Sequence, residues 1–336
     1  MQWHRTDRIR LEKQTVKSQM HFFTQIRRRF ITSFPVKFII RKSKNIIPPG
    51  FNGIPLFDVV RFFFIQIQKT SLNERASSIA FNLLLAIPPA CIFIFTLLPY
   101  LPIKDQLEQL YELIRDVIPG KENNEPIINF LKDFASNERG GLLSFGFLLA
   151  LYFSSNAMIG IMTSFNKMNY IGFSRRHVMH DRWVAIKLTL ILFLIILLSI
   201  VALVSRGAVL TWLGIEDPAI RTIILNVRWI VILLLFFFII SFIYRHAPAV
   251  HKKWKFINPG SILATLMMIA FTMGFSYYVV NFGEYNELYG SIGTVLVMML
   301  LIYFNSLVLL IGFELNVSIS SLRKVADQRK IPVSGG

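Results

Sequence analysis

One cysteine, Cys91, is the whole thiol content of the 336-residue chain. A single thiol excludes a disulfide framework and a thiolate metal site. Charge is also scarce. Asp, Glu, Lys and Arg make up 16% of residues against 54% hydrophobic, which argues against a soluble chain. No nucleophile elbow, Gly-rich phosphate loop or paired-carboxylate motif is present, so neither an enzyme nor a cofactor is expected. The first 20 residues are basic and polar, and no apolar core precedes residue 54, so no secretory leader is expected.

What the chain has instead is long apolar runs. They recur at 79–100, 141–165, 184–204, 223–244, 259–282 and 291–317, each near the length that crosses about 30 Å of hydrocarbon. The third and fourth, "LTLILFLIILLSIVALV" and "WIVILLLFFFIISFIY", are apolar all round, so lipid or protein must surround them. The second, fifth and sixth carry scattered Ser, Thr, Asn and Gly, as spans packing on other spans do. The expected fold class is all-α: a polytopic membrane protein with six transmembrane helices plus amphipathic interfacial helices.

The net charge of +17 is distributed by loop. Residues 1–78 hold 15 Lys/Arg and 4 Asp/Glu, loop 166–183 holds 4 and 1, loop 245–258 holds 4 and 0, and 318–336 holds 4 and 1. The intervening segments invert this: 101–140 holds 5 and 8, 205–222 holds 2 and 2, and 283–290 holds 0 and 2. Strict alternation is the positive-inside pattern of an even number of spans with both termini cytoplasmic. It turns a charge that suggests nucleic acid into a statement about topology. A multi-pass protein of the bacterial inner membrane is therefore expected.

The parts outside the spans read as follows. Residues 1–53 form a basic cytoplasmic arm. It fits either an amphipathic segment on an anionic leaflet or a flexible tail that enforces topology. The membrane domain covers 54–320, and 321–336 is a cytoplasmic tail. "IPLFDVVRFFFIQIQKT" is too short to span; its Phe57, Val59, Val60, Phe63, Phe64 and Ile67 share a face, as in an interfacial helix. Outer segment 101–140 keeps helical spacing up to Pro119-Gly120, and a second short helix is expected from Pro126.

Two prolines, Pro88 and Pro89, interrupt the first span near the expected bilayer midplane. Ser154, Ser155 and Asn156 lie at a similar depth in the second span, and Asn305 and Ser306 in the sixth. Carbonyls freed by proline need partners that lipid does not supply. Two readings follow: interhelical hydrogen bonding, or a polar, partly hydrated pathway. Glu314 is the one acidic residue inside an apolar run. It fits either a structural ion pair with Arg182, Arg245 or Lys187, or a gate or proton-coupling group. "HVMHD" (177–181) sets two imidazoles on one helical face, but with no thiol or further cluster no metal is expected. In "FGEYNELYGSIG" (282–293), Ser291 suits an N-cap for the sixth span, and the stretch reads as a tight turn or part of an outer gate.

Four stretches resemble the YihY/BrkB family of bacterial inner-membrane proteins, once mislabelled as ribonuclease BN. The resemblance covers about residues 60–320. "AFNLLLAIPP" is similar to the family's first-span opening, with Pro89 at the matching place. "SSNAMIGIMTSFNKMNY" is similar to its small-residue segment, with Asn166 and Tyr170. "YVVNFGEYNELYGSIG" is similar to its Tyr-rich turn, with Tyr278, Tyr285, Tyr289 and Gly290. "GFELN" is similar to its Gly-x-Glu-Leu-Asn, with Gly312, Glu314 and Asn316. Departures are Asn82 where an aromatic is common, the extra Pro88 and the long basic arm. The resemblance implies six helices with both termini inside, and no established reaction.

The leading functional expectation is a transporter or a lipid or amphiphile translocator. Pro88, Pro89, Ser154, Ser155, Asn156, Asn305, Ser306 and Glu314 would line its route. The alternative is a non-transporting scaffold that recruits cytoplasmic partners through the basic arm. A nuclease reading finds neither a ligand set nor a soluble catalytic domain. Expected partners are membrane lipids, including anionic lipids of the cytoplasmic leaflet, with no specific nucleic acid.

Overall fold

The computed structural model describes residues 41–51, 53–100, 107–108, 111, 121–166, 177–204, 228–250, 253–282 and 291–330. The chain forms two compact units, residues 1–65 with 318–336, and residues 66–317.

In the first unit, the stretch around Pro48-Pro49 folds back on itself. The Leu56 N–H donates to the Ile46 carbonyl at 3.0 Å and the Ile54 N–H to the Phe51 carbonyl at 3.1 Å. Gly50 and Gly53 take φ of 88° and 84°, where a Cβ would be strained. Helix α1, Leu56–Lys69, follows and carries the chain into the second unit. Val59 is buried on it, whereas Val60 and Phe64 of the expected apolar side are exposed.

The second unit is a helix bundle. α2 is Leu72–Leu97, extended by a 3-10 turn at Leu98–Tyr100. α3 is Lys121–Ser136, α4 Gly140–Asn166 and α5 Val178–Val204. α6 is Arg228–His246, α7 Pro259–Phe282 and α8 Ser291–Lys330, whose last turns belong to the first unit. No β-strand occurs among the described residues. Five of these helices are long and apolar enough to cross a membrane; α6 contributes a shorter apolar stretch, Leu233–His246. Their outward faces carry exposed Phe81, Phe145, Leu148, Leu198 and Leu234. Water would penalise such continuous apolar surface, whereas hydrocarbon does not. The all-α polytopic class expected from the apolar runs holds.

α2 starts at Leu72, earlier than the apolar run at Ile79, and continues through both prolines. It lies antiparallel on α4, and small residues set the approach. A Cβ at Gly146 would lie 3.3 Å from Ile92 Cγ2 and 3.5 Å from the Phe93 backbone nitrogen, and one at Gly160 3.1 Å from the Asn82 amide nitrogen, so these glycines let the two helices approach closely. At the far end of α2, α3 packs through Ile128 and Leu131 on Leu98 and Tyr111. The Phe130 and Phe134 rings lie 4.6 Å apart there. α3 starts at Lys121, so Pro126 lies within it rather than at its head. Burial, and then the Glu108 carboxylate, raise the Tyr111 phenol above its ordinary 10.0.

Candidate functional site

The "GFELN" stretch lies on α8 where that helix is buried at every position from Gly312 to Val317. At about 100° per residue, Gly312 and Asn316 share one face and Glu314 points to the opposite side. Each face meets a different neighbour.

Glu314 faces α2. The Arg75 Nη1 donates to Glu314 Oε1 at 2.8 Å, with the two side chains 2% and 0% exposed. Arg75 Nη2 donates to the Ser164 carbonyl of α4. Arg75 Nε is buried with no hydrogen-bond partner among the described residues. The expected partners of Glu314 were Arg182, Arg245 or Lys187; Arg75 holds it instead. The reason is where α2 begins. With the helix running from Leu72, the residues Leu72, Arg75, Ala76 and Ile79 fall at i, i+3, i+4 and i+7 and turn inward together, and all four are buried. That spacing is visible in the sequence and would have found Arg75. Arg182 is engaged elsewhere: its Nη1 donates to Asn156 Oδ1, and its guanidinium lies 5.1 Å over the Tyr152 ring. Lys187 is exposed.

An aromatic cluster adjoins the ion pair. The Phe313 ring stacks on Phe165 of α4 at 3.9 Å and 4° between planes. Tyr244 of α6 stands edge-on to both rings and donates its hydroxyl to the Leu309 carbonyl at 2.5 Å. Trp254 lies 5.4 Å from Phe313.

Gly312 and Asn316 face α7. Asn258 caps that helix: its Oδ1 accepts the Ser261 N–H at 2.8 Å, and Ser261 Oγ donates back to the Asn258 carbonyl at 2.9 Å. Asn316 completes the cap from α8. Its Oδ1 accepts the Gly260 N–H at 2.9 Å, and its Nδ2 donates to Asn258 Oδ1 at 2.6 Å. Two otherwise orphaned N–H groups of α7 are thereby satisfied away from water. Asn316→Ala is expected to destabilise the fold by about 1–3 kcal/mol, the penalty for a buried donor left unmade. Thermal unfolding in detergent measures it; an unchanged midpoint would contradict the cap. Asn166, at the end of α4, plays a similar part by accepting the Ala249 N–H at 3.0 Å.

The remaining expected site residues do not converge through hydrogen bonds. Pro88 is exposed and Pro89 half-buried. Ser154 is half-buried, and Ser155 is buried and donates to the Tyr152 carbonyl of its own helix at 2.9 Å. Asn156 is tied to α5 through Arg182. Asn305 is tied to the other side of the bundle, donating to the Leu301 carbonyl at 2.9 Å and meeting Thr272 Oγ1 of α7 at 3.4 Å. Ser306 is buried and donates to the Ile302 carbonyl at 2.8 Å. Tyr278 is exposed on α7. Tyr170, Tyr285, Tyr289 and Gly290 lie outside the described residues. His177 and His180 are exposed at the head of α5, and no three metal-ligating side chains converge among the described residues.

The two ends of the bundle differ in packing. Arg75, Phe165, Tyr244, Gly260 and Glu314 lie where α2 and α7 begin and where α4 and α6 end, and all five are buried. Toward the other end, Val295, Leu296, Met298, Met299 and Leu300 of α8 are all exposed. Those positions sweep roughly 200° of the helix surface, wider than one outward stripe. α7 behaves alike: Thr272, Met273, Gly274, Ser276, Tyr277 and Tyr278 are exposed.

Comparison with known proteins accords with this architecture. The family model described as Virulence factor BrkB matches residues 63–334. The ribonuclease-like protein YfkH of Bacillus subtilis is 29% identical over 260 residues, covering 76% of this chain and 93% of that protein. A UPF0761 membrane protein of Tolumonas auensis is 26% identical over 263 residues, covering 75% of this chain and 82% of that one. For a UPF0761 membrane protein of Stenotrophomonas maltophilia the identity is 22% over 281 residues, 81% of this chain, which spans 63% of that relative's length. No solved structure matches. With the match covering most of the chain, including the Arg75–Glu314 pair and both helices that carry it, the chain belongs to the BrkB virulence-factor family and is a multi-pass bacterial membrane protein.

Proposed function

We propose that this protein is an inner-membrane transporter or a translocator of lipids or other amphiphiles, with both termini cytoplasmic. Its bundle is closed at the end that holds Arg75 and Glu314 and open at the other. The observation that carries this reading is the change along α8, from exposed over a wide arc at 295–300 to buried at every position of 312–317. A bundle serving only as an anchor has no evident use for one loose end and one tight end. The loops at the closed end carry the basic excess, which supports placing that end at the cytoplasmic leaflet, among its anionic lipids.

Arg75–Glu314 acts here as the inner gate. A buried ion pair adds little to stability relative to apolar residues of similar volume, so its presence favours a functional use. Asn305 and Thr272 are the polar groups on the open route. Asn156, held by Arg182, supports the packing of α4 on α5 instead. The open half is lined by Leu, Met, Val and Tyr, which suits an amphiphile better than a hydrated ion.

Vesicle reconstitution tests the proposal. Folded protein is expected to raise the translocation of labelled lipid well above that of empty vesicles. The double substitution Arg75→Met with Glu314→Leu should lower the rate at least tenfold while the protein stays folded. Absence of flux for labelled lipids and for small solutes alike, with folded wild-type protein, would overturn it.

A further inference from the structure

We propose that Arg75 is the binding residue for an oxyanion head group, phosphate or carboxylate, and that Glu314 occupies its place while the bundle is closed. The inference rests on the translocator reading above and names the chemical class of its cargo.

Among the described residues Arg75 is the one buried cation. Its guanidinium offers five N–H donors in a rigid planar fork, a shape that matches phosphate and carboxylate oxygens. The Ser164 carbonyl fixes the plane through Nη2, and Glu314 takes Nη1. Nε remains buried and without a partner among the described residues. An unmet buried donor is unfavourable in a resting structure. It is what a site built for a ligand with more acceptor oxygens than one carboxylate contact uses would leave.

The exchange also answers an energetic problem. Arg75 sits on α2 and Glu314 on α8, so opening this end pulls them apart. Separation alone leaves the Arg75 charge uncompensated in a low-dielectric interior. An arriving oxyanion compensates Arg75 as Glu314 withdraws, and water entering with the opening hydrates Glu314. Opening is therefore linked to the presence of an anionic cargo, whose apolar part fits the Leu- and Met-lined half of α8.

The test is binding, measured on the full chain in detergent micelles by fluorescence anisotropy. The probes are labelled phosphatidylglycerol, labelled phosphatidylcholine, and inorganic phosphate as a competitor. Phosphatidylglycerol is expected to bind at least fivefold tighter than phosphatidylcholine. Glu314→Gln removes the internal competitor and should raise phosphatidylglycerol affinity about tenfold. Arg75→Lys keeps a charge beside Glu314 but loses the fork, and should abolish the preference; this second variant covers the case in which Glu314→Gln fails to fold. Competition by inorganic phosphate would identify a free oxyanion as sufficient, and phosphatidylglycerol binding that phosphate does not displace would identify the lipid. Equal binding of both lipids, or a preference unchanged in Arg75→Lys, overturns the proposal. Lipid translocation at equal rates for both head groups would remove this inference and leave the translocator standing. Head-group-selective binding without any translocation would do the reverse.

Discussion

Gly260→Ala is expected to lower the stability of the folded chain by about 3 kcal/mol or more, at the upper end of what overpacking does. A Cβ at Gly260 would overlap the Gly312 carbonyl oxygen and lie 2.5 Å from Asn316 Nδ2. A Cβ at Gly312 would lie 2.6 Å from the Gly260 carbonyl oxygen, 2.6 Å from the Tyr244 hydroxyl and 2.7 Å from Ala264 Cβ. Two of these obstacles are backbone, so no rotamer change relieves them, and α7 and α8 would have to separate. Separation also breaks the Asn316 bonds that complete the α7 cap. Gly312→Ala should be comparably damaging. Gly274→Ala is the control: it sits on the same helix as Gly260, nothing lies within 4 Å of its Cβ, and alanine is the better helix former by about 1 kcal/mol. Unfolding midpoints in detergent should fall steeply for Gly260→Ala and stay level or rise for Gly274→Ala. Equal midpoints would mean that α7 and α8 do not touch at these glycines.

Glu314→Ala should destabilise by about 3–5 kcal/mol, because it strands the Arg75 guanidinium in an interior without water. Arg75→Met alone should also destabilise, by removing the guanidinium that bonds the buried Glu314 carboxylate. Together, Arg75→Met with Glu314→Leu should recover most of the loss, and such replacements can exceed wild type by about 1–4 kcal/mol. The four unfolding energies form a double-mutant cycle, and a large coupling is expected since the two side chains are 2.8 Å apart. The same double variant is the one expected to stop translocation. Stability recovered with flux lost would separate what the ion pair does for function from what it does for folding. Additive single effects would show that the charges do not meet in the folded protein.

How much of this was legible beforehand depends on the range of the interaction. Apolar runs and helical spacing are local properties, and they were enough to read an all-α membrane protein and to single out Glu314; Gly312 and Asn316 stood out only through the resemblance of "GFELN" to a family motif. Even the turn at Asn258-Pro259-Gly260-Ser261 carries a local cap signature, a capping Asn followed by Pro at the first helical position. The error at Glu314 came from setting the first span at Ile79. That left Arg75 in a loop, when Leu72, Arg75, Ala76 and Ile79 in fact share a buried face.

Depth along a span says which residues share a level, but not which way each helix is turned. For that reason Asn156 and Asn305, expected to face one another, are bonded to α5 and α7 respectively. Composition and the length of the apolar runs therefore settle the solvent this chain lives in and the kind of element it builds, because lipid offers no partner to an open backbone group and an apolar run of about 20 residues crosses it as a helix. Partner choice belongs to packing: Arg75 and Glu314 are 239 residues apart in the chain, and what joins them is the tertiary packing that buries both side chains, which no local pattern encodes.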